Sequence, residues 1–221
     1  MVRPGDQPER PPHAEPPGAL VGEPTPPLLS VMPADLSAAR VAILATDGFE
    51  QSELVEPKQA FEAAGATVHI VSPEETAIEG WDEDDWGDEV DVDVHLPDAN
   101  PDDYHALVLP GGQINPDVLR VSDDALAFVR AVADAGKPVA AICHAPWLVI
   151  EAGLARGRDM TSYVSIRTDL KNAGATVHDR EVVVCENGPF PLITSRDPDD
   201  LPAFNQAVLE ALAARVSADA A

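Results

Sequence analysis

The chain has 221 residues, with 39 Asp and Glu against 14 Lys and Arg, giving a formal net charge of −25. So acidic a protein repels phosphate, which excludes nucleic acid and anionic membrane as partners. Its two cysteines, Cys143 and Cys185, provide no disulfide framework, and no signal peptide or long apolar span is evident, so a cytoplasmic protein with free thiols is expected.

Residues 1–38 read as a disordered, proline-rich extension, because ten of the 22 prolines fall within the first 33 residues and no aromatic does. Met32, just ahead of the first strand, offers a second start for translation. One folded domain is expected over 39–221. It opens with an apolar strand, Val41–Ala45, followed by an acidic turn and a helix over Ser52–Ala64 that Gly65 stops. Thr67–Ser72 is the next strand. The stretch Trp81-Asp-Glu-Asp-Asp-Trp-Gly-Asp-Glu89 reads as a solvated acidic segment, and it lacks a calcium-binding loop pattern. Tyr104–Leu109 is a short apolar strand running into Pro110-Gly111-Gly112, and Ser122 caps a helix that Gly136 ends. Val139–Ile142 is a buried strand leading into a helix. Glu181–Cys185 and Pro191–Ser195 are further strands, and a last helix covers roughly Pro198–Val216. Apolar strands alternating with amphipathic helices imply an α/β fold whose parallel sheet is covered on both faces. In such sheets the site lies beyond the carboxyl ends of the strands, where Thr46–Glu50, Gly111–Asn115 and Cys143 all fall.

Cys143 is the first candidate for chemistry. It sits where a buried strand meets a helix, and Pro146 is tolerated only in a helix's first turn. The free N–H groups of that turn, its dipole and the adjacent His144 are expected to favour a thiolate. Glu53 lies one turn inside the first helix. A carboxyl held beside that sulfur has its own pKa raised by burial and like charge, and once protonated it donates to sulfur. Glu50, three residues earlier, shares that helix face. Gly111 and Gly112 offer backbone N–H groups for an oxyanion. Trp81, Trp86 and Trp147 either wall the pocket or pack at a subunit interface. The histidines are scattered without metal-ligand spacing, so no metal is expected.

Together the segments Val-Ala-Ile-Leu-Ala-Thr-Asp-Gly-Phe-Glu-Gln-Ser-Glu-Leu, Ala-Leu-Val-Leu-Pro-Gly-Gly, Gly-Lys-Pro-Val-Ala-Ala-Ile-Cys-His-Ala-Pro and Gly-Arg-Asp-Met-Thr-Ser-Tyr resemble the ThiJ/PfpI family over roughly residues 39–215. The resemblance implies a flavodoxin-like three-layer sandwich with a mostly parallel central sheet. It implies Cys143 as nucleophile, His144 as its neighbour, Glu53 and Glu50 as pocket glutamates, and Tyr163 near the pocket mouth. Asp117 falls where PfpI-type members place an acid that reaches the histidine of an adjacent subunit. Ala145 departs from the glycine common after Cys-His, and Asp117 is shorter than the usual glutamate. The implied function is a cysteine-dependent stress enzyme acting on reactive carbonyls or their adducts, without an organic cofactor and as a dimer or higher homo-oligomer. A PfpI-type peptidase, or a non-enzymatic redox sensor or chaperone using Cys143, is the alternative.

Overall fold

The computed structural model describes residues 36–220. Residues 1–35, which hold the proline-rich segment and Met32, lie outside the described residues. Leu36 belongs to the folded domain: it is buried in the core, although the expected extension ran to residue 38.

In chain order the elements are β1 (Arg40–Leu44), β2 (Phe49–Glu50), α1 (Gln51–Ala63), β3 (Thr67–Ser72), β4 (Ala77–Asp82), β5 (Asp85–Asp91), β6 (Val94–His95) and β7 (Ala106–Leu109). There follow α2 (Ile114–Leu119), α3 (Asp123–Asp134), β8 (Val139–Ile142), α4 (Pro146–Glu151), β9 (Asp159–Met160), α5 (Arg167–Asn172), β10 (Thr176–Val177), β11 (Val182–Cys185), β12 (Leu192–Ser195) and α6 (Leu201–Asp219). No helix among the described residues is long and apolar enough to cross a membrane.

The central sheet has the strand order β11-β12-β8-β7-β1-β3-β6. Its pairings are parallel except for β11 against β12 at one edge. The period-2 alternation along each strand divides the apolar side chains between two layers. Ala42, Leu44, Leu107, Leu109 and Ala141 join one core with α3 and α4, whereas Val41, Ile43, Ala106, Val108 and Ile142 join the other with α1 and α6. Strands buried on both faces need continuous apolar runs, which is what β1, β7 and β8 supply. Phe49, Phe61 and Phe204 are fully buried, and truncating any of them to alanine would cost about 3–5 kcal/mol.

The acidic segment around residue 85 is solvated, as read, with Asp82, Glu83, Asp84 and Asp85 exposed, but it is also an ordered hairpin, which the sequence reading did not foresee. β4 and β5 form an antiparallel hairpin, with Trp81 opposite Trp86 and the two rings edge-to-face at 5.6 Å. β2 pairs parallel with β4, and the Gly48 N–H donates to Glu79 O at 2.8 Å, so the hairpin is fastened to the turn that precedes α1. Gln51 Oε1 accepts from the Asp88 N–H at 2.6 Å and fixes the second strand as well. Cross-strand indole packing and these external partners outweigh the poor strand propensity of the acids.

Candidate active site

Cys143 follows the last residue of β8 and adopts φ 61°, a left-handed conformation that a residue with a Cβ takes at a cost of about 1–2 kcal/mol. The strain is held on both sides. Its N–H donates to Ser195 O at 3.1 Å, and its carbonyl accepts from the Tyr163 N–H at 2.9 Å. The elbow turns the thiol over the carboxyl ends of β1, β7 and β8. Gly111 is the residue that makes room. A Cβ there would stand 2.6 Å from both Cys143 Cβ and Glu53 Oε2, so any side chain would push the nucleophile and the carboxyl apart. Gly112 takes φ 79°, and a Cβ would meet Gly48 O at 2.5 Å.

Glu53 comes from the first turn of α1 and is completely buried. Pro57, four residues on, lacks the N–H that would bind the Glu53 carbonyl, so the helix carries a proline in its interior at this spacing. Glu53 Oε2 accepts from the Gly111 N–H at 2.8 Å. Its other oxygen, Oε1, is buried without a hydrogen-bond partner of ordinary geometry, and the carboxyl interacts with the Cys143 thiol. Burial, against the opposing Gly111 hydrogen bond, raises the Glu53 pKa to about 8, with Glu50 adding like-charge repulsion. Glu53 is therefore a protonated acid at neutral pH, as the sequence led us to expect. Glu50 is half-buried, and burial first, then Asp82 and Glu83, raises its pKa as well, against a hydrogen bond from Ser52.

The thiol departs from expectation. Burial, then the charge of Glu53, push the Cys143 pKa up rather than down. The N–H groups of Gly112 and His144 oppose the rise but do not overcome it. Two physical reasons stand behind the correction. Cys143 is only 6% exposed, and the six-residue α4 begins three residues later with Ala145 as its cap, so a short dipole reaches the sulfur weakly. Two neighbouring acids in one dry site hold at most one negative charge between them at neutral pH.

His144 offers the way out. Its Nδ1 lies 3.1 Å from Cys143 Sγ and its Nε2 lies 3.0 Å from Ser165 Oγ. Burial lowers the imidazole pKa, so the ring is neutral near pH 7. With the proton on Nε2 donated to Ser165, Nδ1 is a free acceptor for the thiol proton. The ring stacks on Tyr163 at 4.7 Å and leans on Trp147 at 5.3 Å. Trp147 is in turn fixed by its Nε1–H donating to Asp169 at 2.9 Å.

A cavity of about 610 Å³ opens onto this group, and Glu50, Glu53, Gly112, Cys143, His144 and Tyr163 all line it. Gly111 does not act as the expected oxyanion donor, because its N–H is committed to Glu53. Gly112 and His144 supply the N–H groups that face the sulfur instead. Asp117 stands exposed on α2, and the ring nitrogens of His144 are engaged by Cys143 and Ser165 instead. Trp81 joins the cavity wall, while Trp86 packs behind it.

Two residues escaped the sequence reading. Ser165 holds the far side of the imidazole but lies 21 positions from His144, with no spacing that announces it. Asn115 is fully buried. It accepts from the Thr46 N–H at 2.8 Å and donates to Pro110 O at 2.8 Å and Gly111 O at 3.1 Å, tying the β1 and β7 loops together under the site.

Comparison with known proteins identifies the family and the fold. The DJ-1/PfpI family model matches residues 39–211. General stress protein 18 of Bacillus subtilis is 44% identical over 174 residues, 78% of this chain and 97% of that protein. Protein/nucleic acid deglycase 2 of Escherichia coli is 42% identical over 175 residues, 79% of this chain and 98% of that protein. Among solved structures, a two-domain protein from Anabaena variabilis with DJ-1/ThiJ/PfpI-like and ferritin-like domains superposes with a TM-score of 0.72 at 34% identity, covering 78% of this chain and 47% of that one. The family model and these relatives span nearly the whole folded domain, its mostly parallel sheet is shared with the solved structure, and the chain belongs to the DJ-1/PfpI family.

Proposed function

We propose that the protein is a cytoplasmic, cysteine-dependent stress enzyme acting on small reactive carbonyls or their early adducts, with methylglyoxal as the simplest substrate. One observation carries the reading: a thiol, a neutral imidazole and a protonated carboxyl converge at the end of one cavity. As sulfur adds to the aldehyde carbon, His144 Nδ1 takes the thiol proton. The C–S bond forms, the C=O π bond opens onto oxygen, and that oxygen receives a proton to give a hemithioacetal. The thiolate needs to exist only during attack, while the N–H groups of Gly112 and His144 stabilise it. In a 2-oxoaldehyde the former aldehyde hydrogen then leaves as a proton and returns at the neighbouring carbon. One carbon is oxidised to a thioester, the other is reduced to an alcohol, and water releases the 2-hydroxy acid and the thiol. No outside oxidant or reductant enters. Glu53 donates to sulfur and is positioned to shuttle the moving proton. The stress-protein and deglycase names of the relatives support this assignment. The test is production of lactate from methylglyoxal by the purified protein, abolished in Cys143→Ser. Absence of turnover in the wild type sinks the proposal.

A second reading is peptide hydrolysis with Asp117 supplied by another copy of the chain. It draws on a single observation: Ile114, Val118 and Val121, which flank Asp117 on and just after α2, are large apolar side chains left exposed, Val121 to 80%. A homo-oligomer that buries this face would bring a foreign acid toward the site. Sedimentation showing a monomer at micromolar concentration would remove this reading.

A further inference from the structure

Cys143 and His144 are neighbours in the chain, yet their side chains are held from two different directions. The elbow is held from β12, where Ser195 O accepts from the Cys143 N–H at 3.1 Å. The imidazole is held from one segment, residues 163–169. Tyr163 stacks on the ring, Ser165 Oγ lies 3.0 Å from Nε2, and Asp169 fixes the Trp147 indole that leans on it. A histidine side chain turns about two single bonds, so Nδ1 meets the thiol only while that segment keeps its place. A single carboxylate joins the two supports. Asp179, in the connection between β10 and β11, receives a fork from Arg167, with Nη1 donating to Oδ2 at 3.1 Å and Nη2 to Oδ1 at 2.8 Å. Arg167 opens α5 just after Ser165, and its Nε is buried without a hydrogen-bond partner, so the fork answers its charge. The same Asp179 Oδ1 accepts from Arg196 Nη1 at 2.9 Å. Arg196 directly follows Ser195 and is clasped in turn by the buried Asp200, which accepts from Nε and Nη2 at 2.8 Å and from the Arg196 N–H at 3.0 Å. That clasp closes the turn carrying Pro198, which lines the cavity. Planar forks fix direction as well as distance, and a connected set of them holds better than isolated surface pairs.

We infer that Asp179 is a positioning residue for the Cys143–His144 pair: by bridging Arg167 and Arg196 it braces the segment that orients the imidazole against the strand that holds the elbow. The inference rests on the proposed role of Cys143 as nucleophile and extends that reading to a residue outside the cavity. Asp179 is not among the residues that line the cavity, so it acts only through the two arginines. Arg167, then Arg196, lower its pKa, so the brace is a carboxylate near neutral pH. With its side chain 63% exposed, its loss costs the fold little, while the ring it steadies loses a support.

The test reads the brace without relying on turnover. Asp179→Asn keeps the shape and removes the charge, and Asp179→Glu restores a carboxylate. Glu62→Gln, which breaks an exposed ion pair with Lys58 on α1, is the control. The readouts are the rate of Cys143 alkylation by iodoacetamide, followed by mass, and long-range proton–nitrogen spectra of the His144 ring. In Asp179→Asn alkylation should slow about three- to tenfold, and the ring should pass from the tautomer with its proton on Nε2 toward a mixture. The kcat for methylglyoxal should fall by a similar factor with KM nearly unchanged. Asp179→Glu should recover most of the loss, and the urea midpoint of Asp179→Asn should match that of Glu62→Gln. Arg167→Lys, which keeps the charge but cannot fork, should behave like Asp179→Asn. Unchanged alkylation and ring spectra in Asp179→Asn and Arg167→Lys overturn the brace. So does a loss that tracks a lowered urea midpoint, since the effect would then be a general loosening. Absence of methylglyoxal turnover in the wild type defeats the reaction, whereas alkylation and the ring spectra still decide the brace. Turnover that survives while those two readouts stay unmoved by Asp179→Asn does the reverse.

Discussion

The two cysteines make opposite uses of nearly equal burial. Cys143 is 6% exposed and Cys185 2%. Beside Cys143 stands a carboxyl, and its pKa rises. Cys185, at the end of β11, accepts from Arg158 Nε at 3.2 Å and from the Asp159 N–H at 3.3 Å. Burial works against the Cys185 thiolate, but Arg158 and the N–H groups of Asp159 and Asn187 together bring its pKa down. Arg158 is itself 4% exposed, lies 4.5 Å over the Phe190 ring and donates from Nη2 to the carbonyls of Cys185 and Phe190. The sulfur that is easier to ionise is thus walled in as the counterpart of a buried cation. The sulfur that is harder to ionise faces a cavity and a base. If Cys143 is the nucleophile, access and an adjacent proton acceptor outweigh the thiol pKa, and the lowered pKa of Cys185 reflects its contact with buried Arg158.

The largest expected effect separates the two directly. Cys143→Ser should lower kcat/KM for methylglyoxal by about a thousandfold or more, as loss of a nucleophile does. Cys185→Ser should stay within a few-fold. Equal losses would mean that the contrast between the sites is false. Next in size is the pH dependence of stability from Glu53. Its folded pKa of about 8 lies above the unfolded carboxylate value, so its contribution is fully present below that value and is lost as pH rises through about 8. At about 1.4 kcal/mol for each tenfold difference in proton affinity between the folded and unfolded chain, the full loss is on the order of 5 kcal/mol. Urea midpoints of the wild type should therefore fall between pH 5 and 9 relative to Glu53→Gln, and parallel curves would contradict a buried protonated acid.

What the sequence disclosed, and what it hid, follows the same physical divide. Strands β1, β3, β7, β8 and β12 came within two residues of their observed bounds because each is a short apolar run closed by glycine, proline or charge. The Ser122 cap was legible too, and its hydroxyl accepts from the Ala125 N–H at 3.3 Å. The elbow and Glu53 were readable from motif and helix position. The hairpin was not, since the run Asp82, Glu83, Asp84 and Asp85 is solvated as expected and gives no strand signal, while the pairing is fixed by Trp81 against Trp86 and by Gln51 against the Asp88 N–H. The sign of the Cys143 shift was missed for a related reason. A strand-to-helix junction shows in sequence, whereas the completeness of burial and the carboxyl packed alongside are properties of the assembled layers. Ser165 reaches His144 from 21 positions away and Asn115 reaches the Thr46 N–H from 69, separations that no local pattern encodes.

A third measurement sharpens the contrast through stability. Cys185→Ala removes the sulfur partner from the buried guanidinium of Arg158 and should cost about 3 kcal/mol. Cys143→Ala removes only a small, protonated group and should cost less than about 1 kcal/mol. The pH sign also opposes that of Glu53. A thiol whose folded pKa is depressed contributes above the unfolded value, near 8.5, and loses the contribution as pH falls through the folded one, so the penalty of Cys185→Ala should be greater at pH 9 than at pH 6. A penalty independent of pH would show that Cys185 is neutral in the folded state.

The smallest effect concerns the group that makes Cys143 usable despite its raised pKa. Ser165 has no counterpart at Cys185; its Oγ lies 3.0 Å from His144 Nε2 and can accept the proton that the ring carries there when Nδ1 accepts from the thiol. Without it the ring stays stacked on Tyr163, so binding should persist while the useful tautomer is less populated. Ser165→Ala should lower kcat about three- to tenfold with KM nearly unchanged, and Ser165→Thr, which restores the hydroxyl, should recover most of it. A rise in KM at constant kcat would place Ser165 in substrate binding, and an unchanged enzyme would show that His144 holds its tautomer by stacking alone. Because Ser165 acts only through the imidazole, this change tests the step on which the proposed reaction depends: a neutral histidine drawing the proton from a thiol that burial keeps protonated.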